Sequence, residues 1–274
     1  MKILVTGANG FIGKHVINIL EKNNIEYIAT DYHFDKCDEK HIECDLFSEQ
    51  IDFYEFFHQH DIVLHLAWRD GFVHNSDKHM EDLSKHYIFL KKLIISGVNQ
   101  VAVLGTMHEI GYYEGEVDEN TPCNPLSKYG IAKNALRKSI ELLCLENKVV
   151  YQWIRAFYIY SNDTTSNSIF SKIIKSNQEN KTTFPFTTGK NKYDFITVEE
   201  LSNQIVSVIQ QSTIKGIINC CSGKPISLSE KVEEFIKENE LQIQLEYGMY
   251  PERAYDSPLI YGNNIKIKKI LEGD

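Results

Sequence analysis

Long apolar runs, clustered cations and paired cysteines are all missing from this chain. No stretch approaches the roughly 20 apolar residues that span a bilayer, so no membrane partner is expected. The first residues, Met1-Lys2-Ile3-Leu4-Val5, run directly into a strand pattern rather than a signal peptide, which makes a cytoplasmic protein the expectation. Lys and Arg number 29 against 38 Asp and Glu, for a formal net charge of -9. Phosphate-backbone binding rests on clustered Lys and Arg, and no long basic run exists here, so no nucleic-acid partner is expected. The cysteines (Cys37, Cys44, Cys123, Cys144, Cys220 and Cys221) include no Cys-x-x-Cys pair, and the one close pair is vicinal. That spacing argues against zinc and redox motifs and leaves reduced, mostly buried thiols and no metal as the expectation. Repeats and low-complexity segments are also lacking.

What is present is a globular composition, 42% hydrophobic and 24% charged over 274 residues. A chain of this length buries roughly 70–75% of its unfolded surface and needs no disulfide or metal staple. Continuous apolar runs at Lys2–Val5, Tyr27–Thr30, Ile62–Leu66, Val101–Leu104 and Val149–Ile154 read as buried strands. Helical patterns lie between them at Phe11–Lys22, Phe53–His58, Asp77–Ser96 and Leu126–Asn147. This alternation predicts an α/β fold, a Rossmann-type doubly wound parallel sheet. After Ser161 the elements become shorter, at Thr197–Gln211, Ile214–Cys220, Ser227–Asn239 and Gln242–Tyr247. The expected division is a dinucleotide-binding domain over 1–160 and a smaller C-terminal α/β substrate-binding lobe over 161–274, with the chain free to cross between them.

The first strand is followed by Thr6-Gly7-Ala8-Asn9-Gly10-Phe11-Ile12-Gly13, which opens a helix. Glycines at Gly7, Gly10 and Gly13 permit a tight turn, a close backbone approach to a pyrophosphate and close helix–strand packing, while the helix N-terminus favours the anion. Asp31 ends the second strand, where a carboxylate can hold a ribose diol. It would also repel a 2′-phosphate, with no Arg beside it to compensate, so NAD(H) is favoured over NADP(H). Read as a solvated loop carboxylate, Asp31 leaves that choice open.

The strand at Val101 ends in Leu104-Gly105-Thr106, at the carboxyl edge where ligands bind in such sheets. Asn124-Pro125 then leads into a helix carrying Tyr129-Gly130-Ile131-Ala132-Lys133. Tyr129 and Lys133 at i and i+4 share a face. A nearby ammonium favours phenolate, so the expectation is a lowered Tyr129 pKa and proton exchange with a substrate oxygen near neutral pH. A Thr106 hydroxyl aimed at the same oxygen would orient it. Together the three suit carbonyl–alcohol interconversion by hydride transfer.

These residues resemble those of the extended short-chain dehydrogenase/reductase family, whose members act mainly on nucleotide sugars. The resemblance extends over nearly the whole chain. It includes the Gly7/Gly10/Gly13 turn, Asp45-Leu46 on the adenine side, Leu64-His65-Leu66-Ala67 under the cofactor, Thr106, and Tyr129 with Lys133. It continues through Tyr193-Asp194-Phe195-Ile196-Thr197-Val198-Glu199-Glu200-Leu201, Asn219-Cys220-Cys221-Ser222-Gly223 and Arg253. The resemblance implies that Lys133 binds the nicotinamide ribose, Tyr129 exchanges the proton and Thr106 assists. It implies cofactor contacts at Gly7, Gly10, Phe11, Ile12, Gly13, Asp31, Asp45, Leu46, Leu66 and Ala67, and a diphosphate contact at Arg253. It also implies a homodimer through the helices of Asp77–Ser96 and Tyr129.

Departures narrow the expectation. Sugar-nucleotide dehydratases of the family carry Asp-Glu after the threonine, whereas Met107-His108 stands here, which argues against dehydration. The Asn usual after the strand-six arginine is replaced in Arg155-Ala156-Phe157-Tyr158, and Trp68 stands where a small residue is usual. Trp68, Met107, His108 and Tyr158 are candidate walls of a sugar pocket. For Trp68 and Tyr158 ordinary packing is the competing reading, and for His108 a satisfied loop histidine. His65 is expected beneath the cofactor. The block from Gly105 to Lys133 most resembles bacterial reductases of dTDP-4-keto-6-deoxyhexoses, which make dTDP-fucose or related deoxysugars for surface polysaccharide. The leading expectation is therefore NAD(P)H-dependent reduction of the C4 ketone of a nucleotide-linked 6-deoxysugar. A 4-epimerase with tightly held NAD and a non-catalytic dinucleotide-binding module are the alternatives. The short remainder beyond residue 160 favours a compact ketoreductase.

Overall fold

The computed structural model describes residues 1–48, 51–162, 164, 168–251 and 256–273. Its first half runs β1 (Ile3–Thr6), α1 (Phe11–Lys22), β2 (Tyr27–Asp31), β3 (His41–Glu43), α2 (Phe53–Phe56), β4 (Ile62–His65), α3 (Lys78–Ser96) and β5 (Gln100–Thr106). It continues through β6 (Gly115–Val117), α4 (Lys128–Asn147), β7 (Val150–Ala156), β8 (Tyr158–Tyr160), α5 (Ile169–Gln178), β9 (Thr183–Pro185), β10 (Lys192–Thr197) and α6 (Val198–Ile209). The last elements are β11 (Gly216–Cys220), β12 (Pro225–Ser227), α7 (Leu228–Glu238), β13 (Gln244–Glu246), β14 (Leu259–Gly262) and α8 (Ile265–Glu272).

Seven strands form one sheet in the order β11-β7-β5-β4-β1-β2-β3, every neighbouring pair parallel. The sheet is covered on both faces, which is why its inner strands read as continuous apolar runs. One face packs against α1 and α6 through Val16, Leu20, Leu201 and Ile205. The other packs against α3 and α4 through Leu90, Leu93, Leu136 and Ile140. Helix α1 shows the rule most simply, since its buried Gly13, Val16, Ile17 and Leu20 fall on one helical stripe. Strand order reverses between β1 and β4, so the ends of those strands open a crevice where a dinucleotide sits in sheets of this type.

The second lobe is built on a sheet of order β12-β10-β14-β6, with β8 joined to β10. Its core holds Phe157, Phe170, Phe186, Phe195, Phe235 and Ile260. The buried Asp194 of β10 ties this lobe together: its carboxylate accepts from the backbone N–H and hydroxyl of Ser222 and from the N–H groups of Gly223 and Gly262.

Sheet membership crosses residue 160 in both directions. Strand β6 belongs to the second sheet, pairing with β14, whereas α6 and β11 return to complete the large one. Helix α4 starts at Lys128 rather than Leu126, because Ser127 takes the N-cap and its hydroxyl accepts from Gly130 N–H. Among the described residues, no helix is long and apolar enough to cross a membrane.

Candidate active site

The glycine turn fits a dinucleotide pyrophosphate. Gly7 adopts φ +69°, and a Cβ there would fall 2.6 Å from the Ala67 nitrogen, so the turn can lie against the end of β4 only without a side chain. At Gly13 a Cβ would overlap the carbonyl oxygens of Gly7 and Ala8. Gly10 is the N-cap of α1 and supplies no side-chain cap, so the first-turn N–H groups at Phe11, Ile12 and Gly13 meet no capping side chain at the open crevice. Asp31 closes β2, its carboxylate accepting from Asn9 N–H at 2.9 Å and Tyr32 N–H at 2.8 Å, which fastens it to the turn. Beyond it the exposed Asp45 accepts from the Tyr32 hydroxyl at 3.2 Å, while the neighbouring Leu46 is buried. On the far wall, Leu66 N–H donates to the Thr6 carbonyl and Ala67 N–H to the Thr6 hydroxyl.

Across the crevice, Thr106 ends β5 and Tyr129 and Lys133 project from α4. Thr106 stands close enough to Tyr129 to favour the phenolate, but burial outweighs it and pushes the phenol pKa up. The expected lowering of the Tyr129 pKa is therefore corrected: desolvation dominates the site. The same burial brings Lys133 down to about 7, opposed by the charge of Glu109. The Lys133 ammonium donates to the Leu104 carbonyl at 2.8 Å and lies 3.9 Å from the centre of a Trp68 ring. A phenol that stays protonated is suited to donate a proton, and a lysine poised near neutrality can respond to its charge.

Trp68 faces this lysine rather than the depression formed by Met107, His108, Tyr158, His74, Leu126 and Ser257. The indole is drawn inward because its Nε1–H donates to Nδ1 of the buried His79 at 3.0 Å and its plane stacks on His86 at 4.5 Å. Met107 is buried, and His108 and Tyr158 lie on the same wall with ring centroids 6.2 Å apart. Arg253 lies outside the described residues. His65 is fully buried, bonded to Thr6 on one side and His86 on the other, and burial keeps it neutral.

Several residues at the site were not read from the sequence. His74 stacks nearly parallel to Tyr129 at 5.6 Å, and its carbonyl accepts the Tyr129 N–H at 2.9 Å. Glu109 lies fully buried under Thr106, accepting from the Thr106 N–H and the Trp153 indole, both at 2.8 Å. The guanidinium groups of Arg137 and Arg155 stand 3.4 and 3.6 Å from the same carboxylate. One signal for Glu109 was available: Thr106-x-x-Glu109 is a capping box, and the turn at Met107–Glu109 forms one. Nothing local in the sequence marks His74, which reaches Tyr129 through a loop contact.

A sequence model of the NAD dependent epimerase/dehydratase family matches residues 3–221. The chain belongs to this family. It is 40% identical over 269 residues to a dTDP-6-deoxy-L-talose 4-dehydrogenase (NAD(+)) of Aggregatibacter actinomycetemcomitans, covering 96% of this chain and 99% of that one. Among solved structures, MoeE5 in complex with UDP-glucuronic acid and NAD aligns with a TM-score of 0.84 at 20% identity, over 99% of this chain and 93% of that one. The UDP-glucose 4-epimerase of Thermotoga maritima, solved with UDP-glucose, aligns with a TM-score of 0.81 at 20% identity, over 98% and 92% of the two chains. At that identity the two structures establish the shared fold. Family membership and the built glycine turn agree on NAD as the cofactor.

Proposed function

We propose that this protein interconverts a ketone and an alcohol at C4 of a dTDP-linked 6-deoxyhexose, acting as a 4-ketoreductase in the reducing direction. The observation that carries the reading is Tyr129 set beside Thr106 at the carboxyl edge of the sheet, with Lys133 one helical turn along on α4. Bound in the crevice, NAD(H) supplies or accepts the hydride. Tyr129, kept protonated by burial, donates its phenolic proton to the C4 oxygen as charge develops there. Thr106 orients that phenol, and the Lys133 ammonium stabilises the phenolate that remains. In the oxidising direction the same groups withdraw the proton. Met107 and His108 border the sugar pocket with Tyr158, and Arg253 is assigned to the diphosphate.

Dehydration is disfavoured on the protein's own geometry. Met107 has no proton to exchange, and the Glu109 carboxylate points into a buried cluster with Trp153, Arg137 and Arg155 rather than into the crevice. The relative named for a dTDP-6-deoxy-L-talose 4-dehydrogenase supports the choice of base, sugar class and carbon. Chain length does not separate a reductase from an epimerase, since this chain covers 92% of the Thermotoga epimerase.

The test incubates purified protein with dTDP-4-keto-6-deoxyglucose and NADH or NADPH, and separately, in the oxidising direction, with dTDP-6-deoxy-L-talose and NAD(+), following nicotinamide absorbance. Cofactor should turn over, and Tyr129→Phe should lower turnover by about 10²–10⁴. Folded protein that changes no absorbance in either direction refutes the reading. Turnover of a sugar alcohol with NAD that copurifies and no added cofactor would make it an epimerase instead.

The reading includes a homodimer through α3 and α4. The two helices pack together and expose Met80, Ile88 and Ile95 on one and Ile131, Leu142 and Leu145 on the other. Sedimentation should give twice the chain mass, and Leu142→Glu with Leu145→Glu should give a monomer. A wild-type monomer at micromolar concentration removes this part of the proposal.

A further inference from the structure

We propose that Trp68 is a positioning residue for Lys133: its indole face holds the lysine as a cation in a site from which water is excluded. The inference rests on the ketoreductase reading only in that Lys133 serves there as the charge beside Tyr129.

A buried ammonium demands compensation, because burial alone drives the proton off. Lys133 is 1% exposed. Its hydrogen-bond acceptor is the Leu104 carbonyl, which is neutral, and the indole ring lies 3.9 Å from Nζ. An aromatic face attracts a cation most strongly where water is absent, and tryptophan is the best of the aromatic faces. The charged and titratable groups around the lysine leave that task to the indole. Glu109, on the turn after β5, favours the cation but already serves two arginines, Thr106 and Trp153. His65 of β4 and His86 of α3 are both kept neutral by burial, His86 lowered to about 3, so neither adds a competing charge. Tyr129 on α4 is protonated.

The indole is itself fixed in place. Its Nε1–H donates to His79 Nδ1, and His79 Nε2 meets the Val73 carbonyl at 3.0 Å. An indole N–H only donates and a carbonyl only accepts, so His79 is neutral with its hydrogen on Nε2. The plane of the indole stacks on His86 at an interplanar angle of 14°. His86 is held in turn by His65, and His65 by Thr6, immediately before the glycine turn. A line of side chains thus runs from the end of β1 to the lysine on α4, and Trp68 is its last member.

The experiment titrates Lys133 directly in cofactor-free protein carrying ¹³Cε-lysine, with Lys133→Met identifying the resonance. In wild type the midpoint should lie near 7. Trp68→Leu should lower it by roughly one pH unit, and Trp68→Phe, which keeps a ring face, should recover part of that shift. His79→Leu, which frees the indole edge, should lower it by less. With substrate, the loss of turnover in Trp68→Leu should grow from pH 6 to pH 8, as the cation is lost earlier; a merely structural role would cost the same at every pH. An unchanged midpoint in folded Trp68→Leu overturns the proposal. Should Trp68→Leu fail to fold, unchanged midpoints in Trp68→Phe and His79→Leu overturn it equally. The titration needs no substrate, so it stands or falls apart from the assignment of the reaction.

Discussion

Among the described residues two carboxylates, Asp194 and Glu109, have no exposure at all, one in each half, and they are compensated differently. Asp194, in the second lobe, is met by neutral donors: two glycine N–H groups and the N–H and hydroxyl of Ser222. Glu109, beneath the crevice, is met by Arg137 and Arg155 as well as by the Trp153 indole and the Thr106 N–H. The first arrangement fastens backbone to backbone, joining β10, β14 and the loop after β11. The second fastens charge under a reacting group, because the amide that Glu109 holds belongs to Thr106 and its field reaches both Tyr129 and Lys133. Burial of an acid is a structural device in one place and an electrostatic one in the other.

Glu109→Gln should separate them most sharply. It takes from Arg155 the carboxylate beside it and leaves Arg137 with the half-exposed Glu141 at 3.8 Å, so unfolding in urea should show a loss of about 3–5 kcal/mol. Turnover of the remaining folded protein should fall too, because the Thr106 anchor is disturbed. Asp194→Asn comes next. An amide cannot accept at both positions, and its NH₂ group would face either the Ser222 donors or the glycine N–H groups. The expected cost is about 2–3 kcal/mol, with turnover per folded molecule unchanged. Equal loss of turnover in both variants would erase the distinction.

The smallest effect concerns Lys133. Its folded pKa of about 7 lies below its ordinary value of 10.5, so above pH 7 the unfolded chain binds the proton that the folded chain has released. Stability from this group therefore rises with pH, by up to about 2 kcal/mol between pH 7 and 8.5, and the cost of burying the charge is greatest below 7. Lys133→Met should remove that slope. A slope that persists in the variant would assign it to other groups.

Much of the large sheet was legible because its strands are buried on both faces. Apolar runs at Ile3, Tyr27, Ile62, Val101 and Val150 needed no partner to be recognised, and α1 and α3 carried their own stripes. Strand β3 has only three residues and a half-exposed pattern, and it exists because β2 offers an edge. Strands β8, β10, β12 and β14 are equally dependent on distant partners, so local periodicity did not reveal them. The same division holds at the site. Tyr129 and Lys133 are related by one helical turn, and Thr106 by its place at a strand end, whereas His74 matters through a loop folded back onto α4 and His79, in the first turn of α3, through its bonds to that loop and to Trp68. The inward turn of Trp68 followed from no pattern in the sequence, since His79 and His86 that capture it lie further along the chain.

The crossing of the chain between its two sheets bears on how the protein is made. During synthesis, β7 emerges as the edge of an unfinished sheet and waits for β11, while β6 stays unpaired until β14 arrives more than a hundred residues later. Neither half can be completed before nearly the whole chain has left the ribosome. Exchange of one lobe between relatives would therefore require cuts at several points, and a nascent chain stopped short of Leu259 would present two open strand edges to its neighbours.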